Sequence, residues 1–520
     1  MAFYDVALPY LTGAVVLAIS PVIGKQVLLV ILQRIFLHPL SRYPGPVLGK
    51  FTDLWATYHG WKGDLAHTLE RLHRQHGEFI RFGPNRVSVD SVEGLENIYG
   101  FKANTRKSQW YYTFAIDPKR PSTHTVIDKA QHARKRRLVS QGLSTKSMKE
   151  LEGPVIESIE VMCKQLLASK GTTKDGWSDA KDMSEWSSYL TVDVMGAMVF
   201  SKRFGLMENT ENRWLKDAVA MASRNKYACG FMPWLIQSGF DTIIWPKLTD
   251  FRMRLKAFST EQLMQRFARK DDDSLHDIFH FIMKAKDPES GESFTQQELG
   301  SEANLMVSAG GDTTSTAMAS TFYFMTKYPE TLEKATREVR AAFSSVDSIV
   351  PGTALNNCTY LRACMDESMR ISPPVPSALM REALVGGVTI NGHTFPAGTD
   401  LCVPAFVIHR NSKYYPDPLA YKPERWISAS GKEEKEESIR VAQAAFCPFS
   451  IGPRSCVGRA MGYLEMSVAL ARVLYLMDFR RLPGSTLGED HDGTYAMLDG
   501  FVAEKYGPMI QFRARPDLKA

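Results

Sequence analysis

FSIGPRSCVG, residues 449–458, sets one cysteine in a frame of glycines, an aromatic and an arginine. Cysteine thiolate is a strong electron donor to iron, and a chain that brings it beneath a flat macrocycle must wrap closely while keeping water off the sulfur. Gly452 and Gly458 permit that approach, Phe449 can shield the ligand, and Arg454 can pair with a carboxylate at the ring edge. At roughly equal residue usage, the spacing FxxGxRxCxG arises by chance in about one chain of this length in six thousand. Cys456 is thereby set apart from Cys447, which lacks such a frame and reads as an ordinary buried thiol.

The rest of the chain narrows the possibilities. Its 520 residues, 44% of them hydrophobic, can bury a large core. The net charge of +6 is compatible with a protein near anionic lipid or an acidic partner. No long Lys/Arg run or recognition motif accompanies it, so nucleic acid is not an expected partner. The seven cysteines are scattered without CxxC spacing, which argues against a disulfide framework or structural zinc and for a reducing compartment.

The first forty residues differ in character from the other 480 or so. Val6 to Gly24 carries no charge and is long enough to cross a bilayer as a helix, although Pro9, Gly13 and Pro21 interrupt it. Asp5 precedes it and Lys25, Arg34 and Arg42 come after it, an order that keeps the C-terminal bulk in the cytosol. The expectation is an uncleaved single-pass anchor over 1–33, in the endoplasmic-reticulum membrane. FLHPLSRYPGP, residues 36–46, then denies both helix and central strand, so 34–50 reads as a proline-rich hinge. The chain has no repeat and no second linker of this kind, and 51–520 reads as one domain.

Within that domain FIRFG and NRVSVD, residues 79–83 and 85–90, predict a hairpin, as does VTINGHTF at 388–395 with Asn391-Gly392 at its turn. Helical patterns dominate from about 128 to 345, and KEEKEE at 432–437 reads as a solvated surface loop. The fold class expected is mainly α with minor β. The longest helix begins at a capping box, Thr295 with Glu298, and runs to Lys327, where Tyr328-Pro329 stops it. AGGDTT, residues 309–314, lies at its middle. Two adjacent glycines cost a helix about 1 kcal/mol each relative to alanine, so they need a reason. One is a local bulge that makes room for dioxygen and water; the other is close packing against a second helix.

ExxR occurs three times, at Glu78/Arg81, Glu367/Arg370 and Glu437/Arg440, so alone it discriminates nothing. Only Glu367/Arg370 lies between the long helix and the cysteine loop, on a helical stretch where residues three apart share a face and can pair bidentately. In QHARKRRL, residues 131–138, His132 and Arg136 share another face. Arg134, Lys135 and Arg137 read as a solvated face, with docking of an electron donor as a second use.

AGGDTT, ExxR, PERW and the cysteine frame, which follow one another along the chain in this order, make it resemble the cytochrome P450 superfamily over essentially its whole length. The hinge and the HARKRRL helix look most like microsomal enzymes of filamentous fungi. The resemblance implies a large helical haem domain with a small sheet subdomain, Cys456 as axial ligand to iron, and haem b as cofactor. It implies electrons from NADPH through a membrane-bound flavoprotein reductase, and insertion of one oxygen atom from O2 into a lipophilic small molecule. By the same resemblance Thr313 supports oxygen activation, Asp312 relays protons, and Arg425 of Pro423-Glu424-Arg425-Trp426 joins Glu367 and Arg370 in a structural triad. Trp426 departs from the usual Phe. His132, standing where the family has Trp, joins Arg136, Arg381 and Arg454 as an expected partner of the haem carboxylates.

By family analogy the distal pocket draws on parts of 101–128 and 205–245, on 375–379 and on 497–502, which are rich in apolar and aromatic residues. The leading expectation is fungal secondary metabolism, with detoxification of foreign aromatics as the nearest alternative. A haem-binding protein without turnover, or a peroxide isomerase, is the alternative from another class.

Overall fold

The computed structural model describes residues 25–516 except 27, 116, 169–175, 273 and 429–432. The Val6–Gly24 stretch lies outside the described residues, and among those described no helix is long and apolar enough to cross a membrane.

The long helix, Gln296–Lys327, is the axis of the molecule. Its capping box forms as the sequence predicts: the Thr295 hydroxyl accepts from the Glu298 N–H at 3.2 Å, and the Glu298 carboxylate accepts from the Thr295 N–H at 3.0 Å. Thr314 to Met325 are all buried, whereas the turns before them are half open to a cavity. Against this helix lies Met183–Phe200, buried along nearly its whole length, as an all-round apolar helix must be.

The helix is unbroken through AGGDTT. A Cβ on Gly310 would stand 2.3 Å from Met195 Sδ, and one on Gly311 would stand 3.2 Å from Val192 Cγ2. The Thr191 hydroxyl also donates to the Gly311 carbonyl at 2.5 Å. The glycines therefore serve close contact with Met183–Phe200, and the bulge expected from sequence is not formed.

A five-stranded sheet flanks the helical mass in the order Phe79–Gly83, Arg86–Val89, Asp400–Cys402, Arg381–Ala383, Thr105–Lys107. Its first two strands are the predicted hairpin. The second predicted hairpin, Val388–Ile390 with His393–Phe395, turns through Asn391 and Gly392 at φ 45° and 76°, values that suit an Asn-Gly pair. The acidic run starts a helix, Glu433–Ala445, instead of a loop; its carboxylates are solvated and sit at the positive end of the helix dipole.

The proline-rich stretch is clasped against the body. Leu40 and Tyr43 are buried, and Tyr43 stacks on Phe395 with centroids 5.1 Å apart. Arg81, fully buried, donates to the carbonyls of Arg34, Lys50 and Pro84 at 2.8–3.2 Å. That first ExxR arginine thus holds the hinge, while Glu78 bonds Asn391 instead.

Candidate active site

The loop 449–458 is closed by the Cys456 N–H, which donates to the Phe449 carbonyl at 2.9 Å. Gly452 stands at φ 71°, and a Cβ there would lie 2.0 Å from the Tyr99 carbonyl oxygen, so only glycine fits. Helix Arg459–Leu476 starts directly after the loop, placing Cys456 at its positive end, where a thiolate is favoured. The thiol opens to an internal cavity and is sheltered from bulk solvent; burial raises its pKa, while the Gly458 N–H, Arg136 and Arg459 act in the opposite sense.

The cavity measures about 300 Å³ and lies between the cysteine loop and the long helix. Phe449, Arg454 and Cys456 line it from one side; Ala309, Thr313 and Thr314 line it from the other. The Thr313 hydroxyl donates to the Ala309 carbonyl at 2.8 Å. Asp312 turns away from the cavity: Oδ1 meets Lys505 Nζ at 3.0 Å, and buried Oδ2 has no partner.

A cluster of cations that, among the described residues, bonds no carboxylate marks one edge. The sheet register sets Lys107 directly opposite Arg381, 5% and 3% exposed. Like charges opposed across strands repel, and burial makes this worse. Lys107 donates to the His124 carbonyl; Arg381 donates to Tyr111 Oη at 3.0 Å and to backbone carbonyls. Arg454 donates to the carbonyls of Val126, Ile127 and Asp128. None of these partners is anionic. Burial, with Arg381 and Arg454 beside it, pushes the Lys107 pKa well down; burial and Arg381 lower that of Arg454 to about 10. His124, on the same wall, is driven well below the usual histidine range by burial and Lys107.

Such a cluster calls for a ligand with two or more negative charges. A haem, with two carboxylates at one edge and an iron that takes a thiolate, fits this donor set. Cys456 would supply a thiolate to the iron, and Lys107, Arg381 and Arg454 would hold the carboxylates.

Sequence reasoning missed Lys107 and His124, because only the strand register and the 109–114 turn bring them to Arg381. His132 and Arg136, expected at the carboxylates, do not line the cavity: His132 is buried behind it, and Arg136 donates to the Ser455 carbonyl, bracing the loop. The neighbouring basic residues are not a solvated face either. Arg134 pairs with Glu298 at 2.9 Å, Arg137 with Asp287 at 2.5 Å, and Lys135, 1% exposed, with Glu298 at 2.9 Å. They fasten helix Lys129–Gly142 to the start of the long helix and its approach.

Behind the loop, Glu367 and Arg370 are both fully buried and joined by two bonds of 2.8 Å. Arg425 Nε lies 3.4 Å from Glu367 Oε1, and Trp426 Nε1 donates to Oε2 at 2.9 Å. The Trp that replaces Phe thus adds a donor to the same carboxylate.

Lys107→Met is expected to stabilise the haem-free chain slightly while haem leaves roughly tenfold faster, the loss of one charge-assisted hydrogen bond. Parallel denaturation of the haem-free form and haem transfer to an acceptor protein measure the two effects. Slower haem loss in the variant would remove Lys107 from the carboxylate site.

A single thiol facing a threonine-lined helix across a cavity edged by cations that bond no carboxylate defines a haem-thiolate site. The sequence pattern of cytochrome P450 matches residues 39–498, and the chain belongs to that family of haem-thiolate monooxygenases. It is 33% identical to cytochrome P450 monooxygenase AKT7 of Alternaria alternata over 98% of this chain and 99% of that one. It is 35% identical to the monooxygenase apf7 of Gibberella fujikuroi, over 95% and 97%, and 35% identical to atnE of Emericella nidulans, over 93% of each.

Proposed function

We propose that the protein inserts one oxygen atom from O2 into a lipophilic small molecule of fungal secondary metabolism, using electrons that NADPH supplies through a flavoprotein reductase. The observation that carries this reading is the placement of Cys456 and Thr313 on facing walls of one cavity. Haem b bound there supplies oxygen activation and C–H oxidation; the chain supplies the ligand, the proton supply and the orientation of substrate.

Thr313 is the hydroxyl placed to hold a proton toward the cavity once it leaves the Ala309 carbonyl. Asp312, with one oxygen on Lys505 and one free, connects that position to a polar cluster in which Arg224 also pairs with Glu504 at 2.6 Å. Phe114, Val219, Leu255, Val375, Leu379 and Phe501 make the distal wall apolar, which favours a lipophilic substrate. Of the aromatic runs expected there, Tyr111, Phe114 and Phe501 reach the cavity, whereas Trp110 and Phe231 pack in the core behind it.

The cytosol-facing endoplasmic-reticulum placement belongs to the same proposal. Trp234, Phe240, Ile243 and Ile244 are exposed on one segment, and Trp245 at its end stacks on Trp61 of helix Leu54–Lys62, where Leu54 and Tyr58 are exposed too. Such a surface suits a lipid interface.

Turnover of lipophilic candidates with NADPH, reductase and O2 tests the reading. Product that persists without reductase would favour the peroxide isomerase instead. Thr313→Ala is expected to cut product per NADPH consumed about tenfold or more, with the missing electrons appearing as hydrogen peroxide. Unchanged coupling would remove Thr313 from proton delivery.

A further inference from the structure

Helix Trp214–Gly230 forms part of the distal wall with Val219, Ala222, Ser223 and Lys226. Their spacing puts them on one face, so Lys226 points into the cavity with its apolar neighbours. The other cationic groups of the cavity wall have acceptors: Lys107 the His124 carbonyl, Arg454 backbone carbonyls, Arg381 Tyr111 Oη, and Arg120 the carboxylate of Asp117 at 3.7 Å. Ser301, Asn304 and Ser308 across the cavity already donate to the carbonyls of Arg120, Gly300 and Asn304. Among the described residues the Lys226 ammonium has no hydrogen bond and no ion pair. Burial, with Arg252 nearby, lowers its pKa to about 8, a direction that an anion beside it would reverse. Arg252 is itself spoken for, pairing with Asp241 at 2.8 Å.

An unpaired ammonium in an apolar chamber is costly to maintain, and the natural compensation is a ligand that brings the missing charge. A compact ammonium on a flexible stem suits one carboxylate, in contrast to the fork of an arginine. We infer that the substrate is a lipophilic carboxylic acid, oriented by an ion pair between its carboxylate and Lys226, with its apolar body against Phe114, Phe501 and Leu255. This rests on the reading of the cavity as the substrate chamber. It adds the charge of the substrate and the end that is held away from the reacting carbon.

Calorimetric titration of the haem-loaded full-length enzyme with a homologous series of straight-chain fatty acids and the matching primary alcohols decides the point. The acids are expected to bind the wild type about tenfold or more tightly than the alcohols, Lys226→Met to erase that preference, and Lys226→Arg to keep most of it. Haem content and the absorption spectrum of Lys226→Met should match the wild type. The inference is overturned if acid and alcohol bind alike, if neither series binds, or if the preference survives in Lys226→Met. Haem loss from Lys226→Met would overturn it too, assigning the lysine to the haem carboxylates. None of these readouts needs electrons or O2, so failure of monooxygenation, seen only as absent turnover with reductase, is a separate result.

Discussion

Cys456→Ser is expected to abolish the strongly red-shifted Soret band that the reduced, carbon monoxide-bound wild type gives, and with it all reductase-driven product formation. A serine hydroxyl would remain protonated where a cysteine would ionise on binding iron, so the strong electron donor would be lost. The fold should persist, because the Cys456 side chain faces the cavity and the loop around it is held by backbone contacts at Gly452 and Phe449. Optical spectra of the two haem-loaded proteins are the measurement. A wild type that is well folded and haem-loaded yet lacks the shifted band would mean another axial ligand, and the oxygenase reading would fall with it.

Glu367→Gln has the second large effect, on stability. Arg370 is fully buried, and among the described residues Glu367 alone supplies its counter-charge; the remaining partners are the carbonyls of His409, Pro418 and Ala420. Removing one partner of such a pair leaves an uncompensated charge and costs about 3–5 kcal/mol. Arg425 and Trp426 lose the same acceptor, so the cysteine loop should loosen with the core. The expected result is a sharply lower yield of haem-loaded protein and a denaturation midpoint lowered to match. A midpoint like that of the wild type would deny the triad its structural role. Trp426→Phe, which removes one donor and leaves both charges, should lower stability by only about 1 kcal/mol.

What could be read ahead of the structure was whatever a short segment decides for itself. The capping box at Thr295, the stop at Tyr328-Pro329, the Asn391-Gly392 turn and the frame around Cys456 are local, and each forms where its residues stand. What eluded sequence depends on contacts between distant segments. Gly310 and Gly311 suggest a bulge until Met195 and Val192 are seen packed against them. Lys107 has no motif of its own and matters only because a strand register sets it across from Arg381. Lys135 lies in a basic run whose composition suggests a wet surface, yet Glu298 and Glu302 lie beside it in the interior.

The clasp formed by Arg81 on the stretch before it governs more than local packing. A segment leaving through a loose linker would let the catalytic body swing freely about its tether. Here Arg34, Lys50 and Pro84 are pinned to one guanidinium, and Tyr43 is wedged among Phe79, His393 and Phe395. Residues 34–50 are therefore fixed to the body, like a rudder post to its hull. A surface that held the residues before Arg34 would therefore also set the direction in which the cavity mouth faces.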